Sequence, residues 1–353
     1  MEQNKQHLLE MIDRPAFVVK DGIITEYNQM AKNRQIPIGK PIAELLPEEC
    51  DAYQHFHSGV LYLTLQLGWI RCGATVIRQE DGDIFLMDRD ADQAQLQALA
   101  LAAQQLRMPL SNVMTVADCL FPELQDKSQR EKASQMSKAL FQLMRLISNM
   151  ADAERYTGLD DPSFETTELC SFFREIVEKA EASLDNVKVT IQFTCPDTPI
   201  FTMVDRERME RAVYNLLSNA VKFSRPGSTV EIKLSHNGKI ACLTVEDQGD
   251  GIAAHVQGSL FHRYMREPAI EDSRFGLGLG MTLVRSVASV HGGTVLLEQT
   301  QGTRVAMTMA IRKDVPGMLR SPKVRIGNYA GGYDLGLLEF SETLPVSSYE
   351  NNI

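Results

Sequence analysis

Four short stretches in the C-terminal half carry residue types that could handle a nucleotide. In RAVYNLLSNAVKFS, 211–224, Asn215 and Asn219 stand four apart on one helix face and Lys222 follows three later. Neutral amide oxygens suit a Mg2+ ion whose charge is already met by phosphates, and a lysine on the same face can pair with a phosphate oxygen. Taken alone, the pair fits a solvated helix face equally well. In DQGDGI, 247–252, a carboxylate at a strand end can accept an exocyclic amine. Gly249 and Gly251 let backbone approach a flat base, and Ile252 closes the run. An ordinary loop reads the same way, whereas the spacing of a calcium loop is absent. LFHRYMR, 260–266, is an aromatic and basic cluster containing Phe261 and Arg263. In FGLGLGM, 275–281, Gly276, Gly278, Leu279 and Gly280 open a helix whose N–H groups could receive phosphate. No strand precedes this run, unlike a dinucleotide-binding fingerprint.

The elements that must position these residues follow from periodicity. From 161 onward helix and strand alternate: helices at 168–182, 205–223 and 281–291, and strands at 187–194, 229–235, 240–246, 294–298 and 304–311. The tail, 314–353, is punctuated by Gly and Pro, with weak strand character in LGLLEF. Upstream, residues 92–125 repeat Leu96, Leu99, Ala103, Leu106, Leu110, Val113, Ala117 and Leu120 in steps of three and four. A second helix repeats Met136, Leu140, Leu143, Ile147 and Met150. Such a hairpin buries only one face, and dimerising into a four-helix bundle closes its core. Packing as a monomer on its own neighbours is the alternative. At the N-terminus, two β-rich runs flank Asp21-Gly22, and VLYLTLQLGWIRCGATVIRQEDGDIFLMDRD supplies three more strands.

Composition bounds the function. The 353 residues, 44% apolar, allow two or three cored domains. A net charge of −10 argues against a nucleic-acid or anionic-membrane surface. No run of eighteen apolar residues predicts a membrane span, and MEQNKQHLLEMIDRP lacks the pattern of a secretion signal. Six scattered cysteines, none in a CxxC, read as buried thiols of a cytoplasmic protein.

Order and spacing give the four stretches a shared meaning. NLLSNAVKFS, DQGDGI, LFHRYMR and GLGLGM resemble the N, G1, F and G2 boxes of the histidine-kinase-type (GHKL, or Bergerat) ATP-binding fold, in the family's order. HGGTV resembles the strand start that follows. The resemblance implies an ATP site in which Asn219 binds Mg2+, Asp247 reads adenine and Lys222 contacts phosphate. Gly276, Gly278 and Gly280 would shape a lid hinge, with Phe261 and Arg263 in the lid. ATP-hydrolysing relatives place a Glu where Asn215 stands, so this chain resembles the branch that holds ATP for transfer to protein.

The hairpin resembles the dimerisation domain of sensor histidine kinases, whose motif resembles S-H-E-L-R-T-P-L. Here the matching residues are Ala103, Gln104, Gln105, Leu106, Arg107, Met108, Pro109 and Leu110. Gln104 stands in place of the acceptor histidine, and its amide lone pair is delocalised. Gln105 cannot act as a base, and Met108 replaces the polar residue of the phosphatase reaction. No histidine occurs from 58 to 235 to rescue the site. The N-terminal element order resembles a PAS-type sensor.

The expectation is therefore a multidomain chain. A PAS-like α+β sensor occupies 1–90 and an antiparallel helical hairpin of a dimeric four-helix bundle 91–160. An α/β-sandwich GHKL domain spans 161–313, with a tail over 314–353. It would be a homodimeric sensor histidine kinase homologue using ATP and Mg2+, a pseudokinase partnered by a response regulator or a partner kinase. The alternatives are an active kinase acting on a partner in trans, and an adaptor docking a partner through its tail.

Overall fold

The structure, a computed structural model, describes residues 9–79, 81–88, 91–155, 162–251, 279–312 and 332–350, with backbone alone at 91–97 and 153–155. Its N-terminal unit is a five-stranded antiparallel sheet. β1 (Ala16–Lys20) and β2 (Ile23–Tyr27) meet across Asp21-Gly22, where both residues adopt positive φ as a tight hairpin requires. β3 (Val60–Leu67), β4 (Ile70–Gln79) and β5 (Gly82–Met87) complete the order β2-β1-β5-β4-β3. Two short helices, α1 (Gln29–Asn33) and α2 (Cys50–Gln54), cover a core built on Phe17, Val19, Leu63, Val76 and Phe85. Asn28 caps α1 by accepting from the Ala31 N–H at 2.9 Å.

Two long helices follow, α3 (Ala91–Leu120) and α4 (Lys127–Arg155), packed as a hairpin. α3 is continuous through Pro109. The apolar repeats divide between two faces. Ala103, Met114, Ala117, Leu140, Phe141 and Ile147 are buried within the chain. Leu106, Val113 and Leu120, seven apart, stay exposed, as do Met136 and Leu143.

The C-terminal unit layers three helices on a sheet: α5 (Leu169–Ser183), α6 (Arg206–Phe223) and α7 (Leu279–Val290). Its main sheet contains β7 (Val189–Thr194), β9 (Ser228–His236), β10 (Ile240–Glu246), β11 (Val295–Gln299) and β12 (Thr303–Ala310), ordered β11-β12-β10-β9-β7. Among the described residues only β7 and β9 pair in parallel. β6 (Glu165–Glu168) and β8 (Phe201–Val204) form a separate ribbon that periodicity did not single out. Both strands are four residues long, too short for alternation to register.

The two sheets are one. β3 pairs antiparallel with β11, matching Val60 with Leu297, Leu61 with Leu296 and Tyr62 with Val295. The resulting ten-stranded sheet crosses both units. Arg285 of α7 reinforces the joint. It pairs with Asp88 at 2.9 Å and lies 4.2 Å from the centre of the Tyr62 ring. Gly59 enters the joint at φ +89°, and a Cβ there would sit 2.1 Å from the Leu297 carbonyl oxygen.

The tail departs from its expected strand character. Residues 335–339 form a helix, α8, capped by Asp334 accepting from the Leu337 N–H at 2.9 Å. Its apolar side chains pack on helices rather than a sheet edge: Leu337, Leu338, Phe340, Leu344 and Tyr349 join the core beneath α5 and α6. Glu339, fully buried, sits between two guanidinium groups. The Arg211 Nη1 of α6 donates to it at 2.7 Å, and the Arg145 Nε of α4 lies 3.3 Å away. Arg211 also faces Asn149 and Asp152 of α4.

Two outcomes follow. Gly59→Ala forces backbone apart at the joint, costing about 1–3 kcal/mol. Hydrogen exchange should quicken at 60–62 and 295–297 while β9 and β10 keep their protection. Glu339→Gln leaves a buried cation poorly matched, costing about 2–4 kcal/mol in urea denaturation, because Asp152 still faces Arg211.

Candidate nucleotide-binding site

The site is built around α6. Its N-cap, Asp205, accepts from the Arg208 N–H at 3.2 Å and fixes where the helix starts. The buried face that follows sets the rotation, and Asn215 falls inside it at 2% exposure. Asn215 Nδ2 donates to the Arg211 carbonyl at 3.0 Å, which leaves Oδ1 as the outward-facing acceptor. That oxygen meets the start of α7, where a Cβ at Gly280 would lie 2.8 Å from it. Asn215 and Gly280, sixty-five residues apart in sequence, thus come together. Leu279 is buried beside them. Asn219 is half-buried one turn further along, and Lys222 ends the same helix. The Lys222 ammonium pairs with Glu342 and lies 5.7 Å from the Phe223 ring centre.

Asp247 follows β10 and is buried. Its Oδ1 accepts from the N–H groups of Gly249 at 2.8 Å and Thr303 at 3.1 Å. The Thr303 side chain also hydrogen-bonds the carboxylate, whose remaining lone pairs can accept from a ligand. Burial pushes the carboxyl above the usual carboxylate range, and the two N–H groups oppose that rise. The loop is pressed against its surroundings. A Cβ at Gly249 would meet the Phe223 carbonyl oxygen at 2.3 Å, and one at Gly302 would meet the Asp247 carbonyl oxygen at 2.2 Å. Gly251 adopts φ +74° beside Gln299. At the rim, Arg225 pairs with Asp250 at 2.8 Å in full solvent.

Thr303 and Gly302 escaped the sequence reading. Their only signal is a Gly-Thr pair at a strand start, which carries no chemistry until folding brings it to Asp247. Glu49 was missed too. It accepts from the Thr64 N–H on β3, and burial pushes it up to about 7. His291 is structural: Nε2 accepts from the Asp205 N–H at 3.1 Å, Nδ1 donates to the Val287 carbonyl at 2.7 Å, and burial pushes it down to about 4.

Ile252, Phe261, Arg263, Gly276 and Gly278 lie outside the described residues. Gln104, Gln105 and Met108 stand exposed on α3. Among the described residues no cluster of three or more His, Cys, Asp or Glu could hold a metal ion unaided. What the site does offer fits Mg·ATP: an accepting carboxylate for a base, two carboxamides and a lysine along one helix, and a helix start. No described helix is long and apolar enough to cross a membrane.

Known proteins are similar to this chain over the same region. Residues 204–313 match the family described as histidine kinase-, DNA gyrase B-, and HSP90-like ATPase. Over 198 residues the chain is 28% identical to the sensor protein KdpD of Clostridium acetobutylicum, covering 55% of this chain and 22% of that protein. Over 236 residues it is 26% identical to the sensor-like histidine kinase SenX3 of Mycolicibacterium smegmatis, covering 65% and 61%. The chain thus spans between about a fifth and three fifths of the length of these relatives. Among solved structures, full-length ShkA in complex with AMPPNP superposes with a TM-score of 0.52 at 20% identity. The match covers 62% of this chain and 47% of that one, and it shows a shared fold. Site geometry and relatives agree: residues 204–313 form an ATP-binding domain of the histidine kinase (GHKL) type, and the chain is similar to sensor histidine kinases.

Proposed function

We propose that this protein binds ATP·Mg and signals in a two-component-type pathway without phosphorylating its own hairpin. One observation carries the reading. α6 meets the start of α7 at Gly280 and the Asp247 loop at Gly249, while Gln104 stands where the resemblance puts the acceptor histidine. The Asp247 carboxylate would accept from the adenine amine, with Gly249 and Gly251 admitting the ring. Lys222 would pair with a phosphate oxygen, and the Asn219 carboxamide oxygen would take the metal. Bound Mg·ATP supplies a transferable phosphoryl group. Asn215 lacks the basicity to activate water against it, and Gln104 and Gln105 offer neither nucleophile nor base.

The same reading assigns the remaining parts. The strand order β2-β1-β5-β4-β3 under two short helices supports a PAS-like sensor over residues 1–90. The exposed row Leu106, Val113, Leu120 beside Met136 and Leu143 supports a homodimeric bundle formed by 91–160. A response regulator is the partner that the similarity to sensor histidine kinases favours. ATP then acts as a conformational ligand, biasing the chain by its unequal affinity for two arrangements. A second reading, phosphorylation of a partner kinase or other protein in trans, draws on the retained Asn219, Lys222 and Asp247. An adaptor working through its tail is disfavoured, because residues 332–350 already pack on their own chain.

Two measurements test this. In calorimetry the wild type binds Mg·ATP, and Asp247→Asn weakens binding about ten- to a hundredfold. Wild-type affinity falls on acidification from a higher pH than an ordinary carboxylate would give, because Asp247 must be ionised to accept and burial raises its pKa. The Asn variant lacks that fall. Absence of binding defeats the proposal. With γ-labelled ATP the wild-type hairpin stays unlabelled, whereas Gln104→His becomes labelled if the acceptor alone was lost. Label passing from the wild type to a partner would favour the second reading.

A further inference from the structure

The tail does more than close a core. Residues 332–350 lie across α4 on one side and α5 and α6 on the other, so they bridge the helical hairpin and the ATP-binding unit. The attachment has two tiers. The first is closed: Phe340, Leu344 and Tyr349 are buried, and Phe141 packs against Tyr333 and Tyr349 at 5.8 and 5.4 Å between ring centres. Lys138 Nζ donates to the Leu344 carbonyl at 2.6 Å, Gln142 to the Ser341 carbonyl at 3.1 Å, and the Tyr349 hydroxyl to the Leu337 carbonyl at 2.8 Å. Glu339 belongs to this tier, locked between Arg211 and Arg145.

The second tier is Glu342. Its side chain keeps 35% exposure while the Lys222 side chain it pairs with keeps 9%. Its other cationic neighbour is Arg145, at 3.7 Å. Lys222 is the residue assigned to a phosphate oxygen, so this inference rests on the nucleotide reading. A carboxylate held at that ammonium is a poor neighbour for a triphosphate, because like charges repel across a part-buried rim. A partly exposed ion pair is a weak restraint, whereas a lysine–phosphate contact is a charge-assisted bond of the stronger kind. Phosphate therefore wins the lysine, and the tail loses this one ion pair while its first tier remains.

We propose that residues Gly332–Glu350 form an intramolecular strap whose Glu342 competes with nucleotide phosphates for Lys222, so that ligand binding loosens the grip between hairpin and ATP-binding unit. The coupling is reciprocal: whatever loosens the strap also tightens nucleotide. Such a device transmits occupancy of the pocket to the hairpin without any phosphoryl transfer, which suits a chain with Gln104 at the acceptor position.

The test uses the full chain, with Mg·AMPPNP as the probe. Hydrogen exchange of residues 341–350 should accelerate severalfold on adding the probe. By calorimetry Glu342→Gln should bind it roughly two- to fivefold more tightly than wild type, and its 341–350 segment should exchange faster without ligand. Binding of the probe with unchanged or slower exchange in the strap, or equal affinities of the two proteins, overturns the inference while leaving the nucleotide reading intact. Failure of both proteins to bind refutes the nucleotide reading and the strap with it.

Discussion

A guanidinium with no route to water constrains this molecule more than any other group. Arg211 keeps 1% of its side-chain exposure, and leaving its charge uncompensated would cost several kcal/mol. Compensation arrives from two distant parts of the chain: Glu339 of the tail and Asp152, with Asn149, of the hairpin. The Arg211 carbonyl meanwhile accepts from Asn215, the first polar residue of the nucleotide face. One residue therefore fixes the register of α6, seats the tail and holds the hairpin against the ATP-binding unit. Asn219 and Lys222, at four- and three-residue steps beyond Asn215, inherit their positions from that anchor.

The second constraint is the shared sheet. A sheet edge left bare exposes unpaired backbone groups, and here β3 and β11 satisfy each other. Arg285 and Asp88 close the same joint from the α7 side, and Thr64 and Ser289 hydroxyls approach to 3.1 Å. α7 is also the helix whose first residues meet Asn215. One helix and one strand pair thus link β3 to Asn215. The N-terminal and C-terminal parts of the chain are joined mechanically without the hairpin as intermediary.

Much of this was legible in the residues. Asp21-Gly22 announces its hairpin because few other pairs accept two positive φ values. The steps of four and three from Asn215 to Lys222 announce a polar stripe on a helix. Asp247-x-Gly announces a carboxylate beside backbone open to a flat base; in the fold that backbone also packs against the Phe223 carbonyl. What stayed hidden is non-local. Nothing near Thr303 says that its N–H will reach Asp247, fifty-six residues earlier. Nothing near Glu339 says that it will neutralise Arg211, because charge pairing over that distance leaves no periodic trace. LGLLEF reads as weak strand because five residues cannot show helical periodicity, and Asp334 and the Arg211 cradle decided the matter. The heptad-spaced Leu106, Val113 and Leu120 were visible as apolar, but sequence alone could not say that the chain leaves them in water.

The account turns on separating possession of a triphosphate from its use. A pocket with Asp247 buried, Asn215 facing Gly280 and Lys222 at a helix end can hold ATP, yet α3 offers amides where an imidazole would be needed. Native mass spectrometry of the unaltered protein after incubation with Mg·ATP, at neutral pH, addresses both halves at once. The account predicts nucleotide retained non-covalently and no phosphoryl group on residues 91–155. An acid-labile phosphoryl adduct on that hairpin, or no retained nucleotide at all, would contradict it.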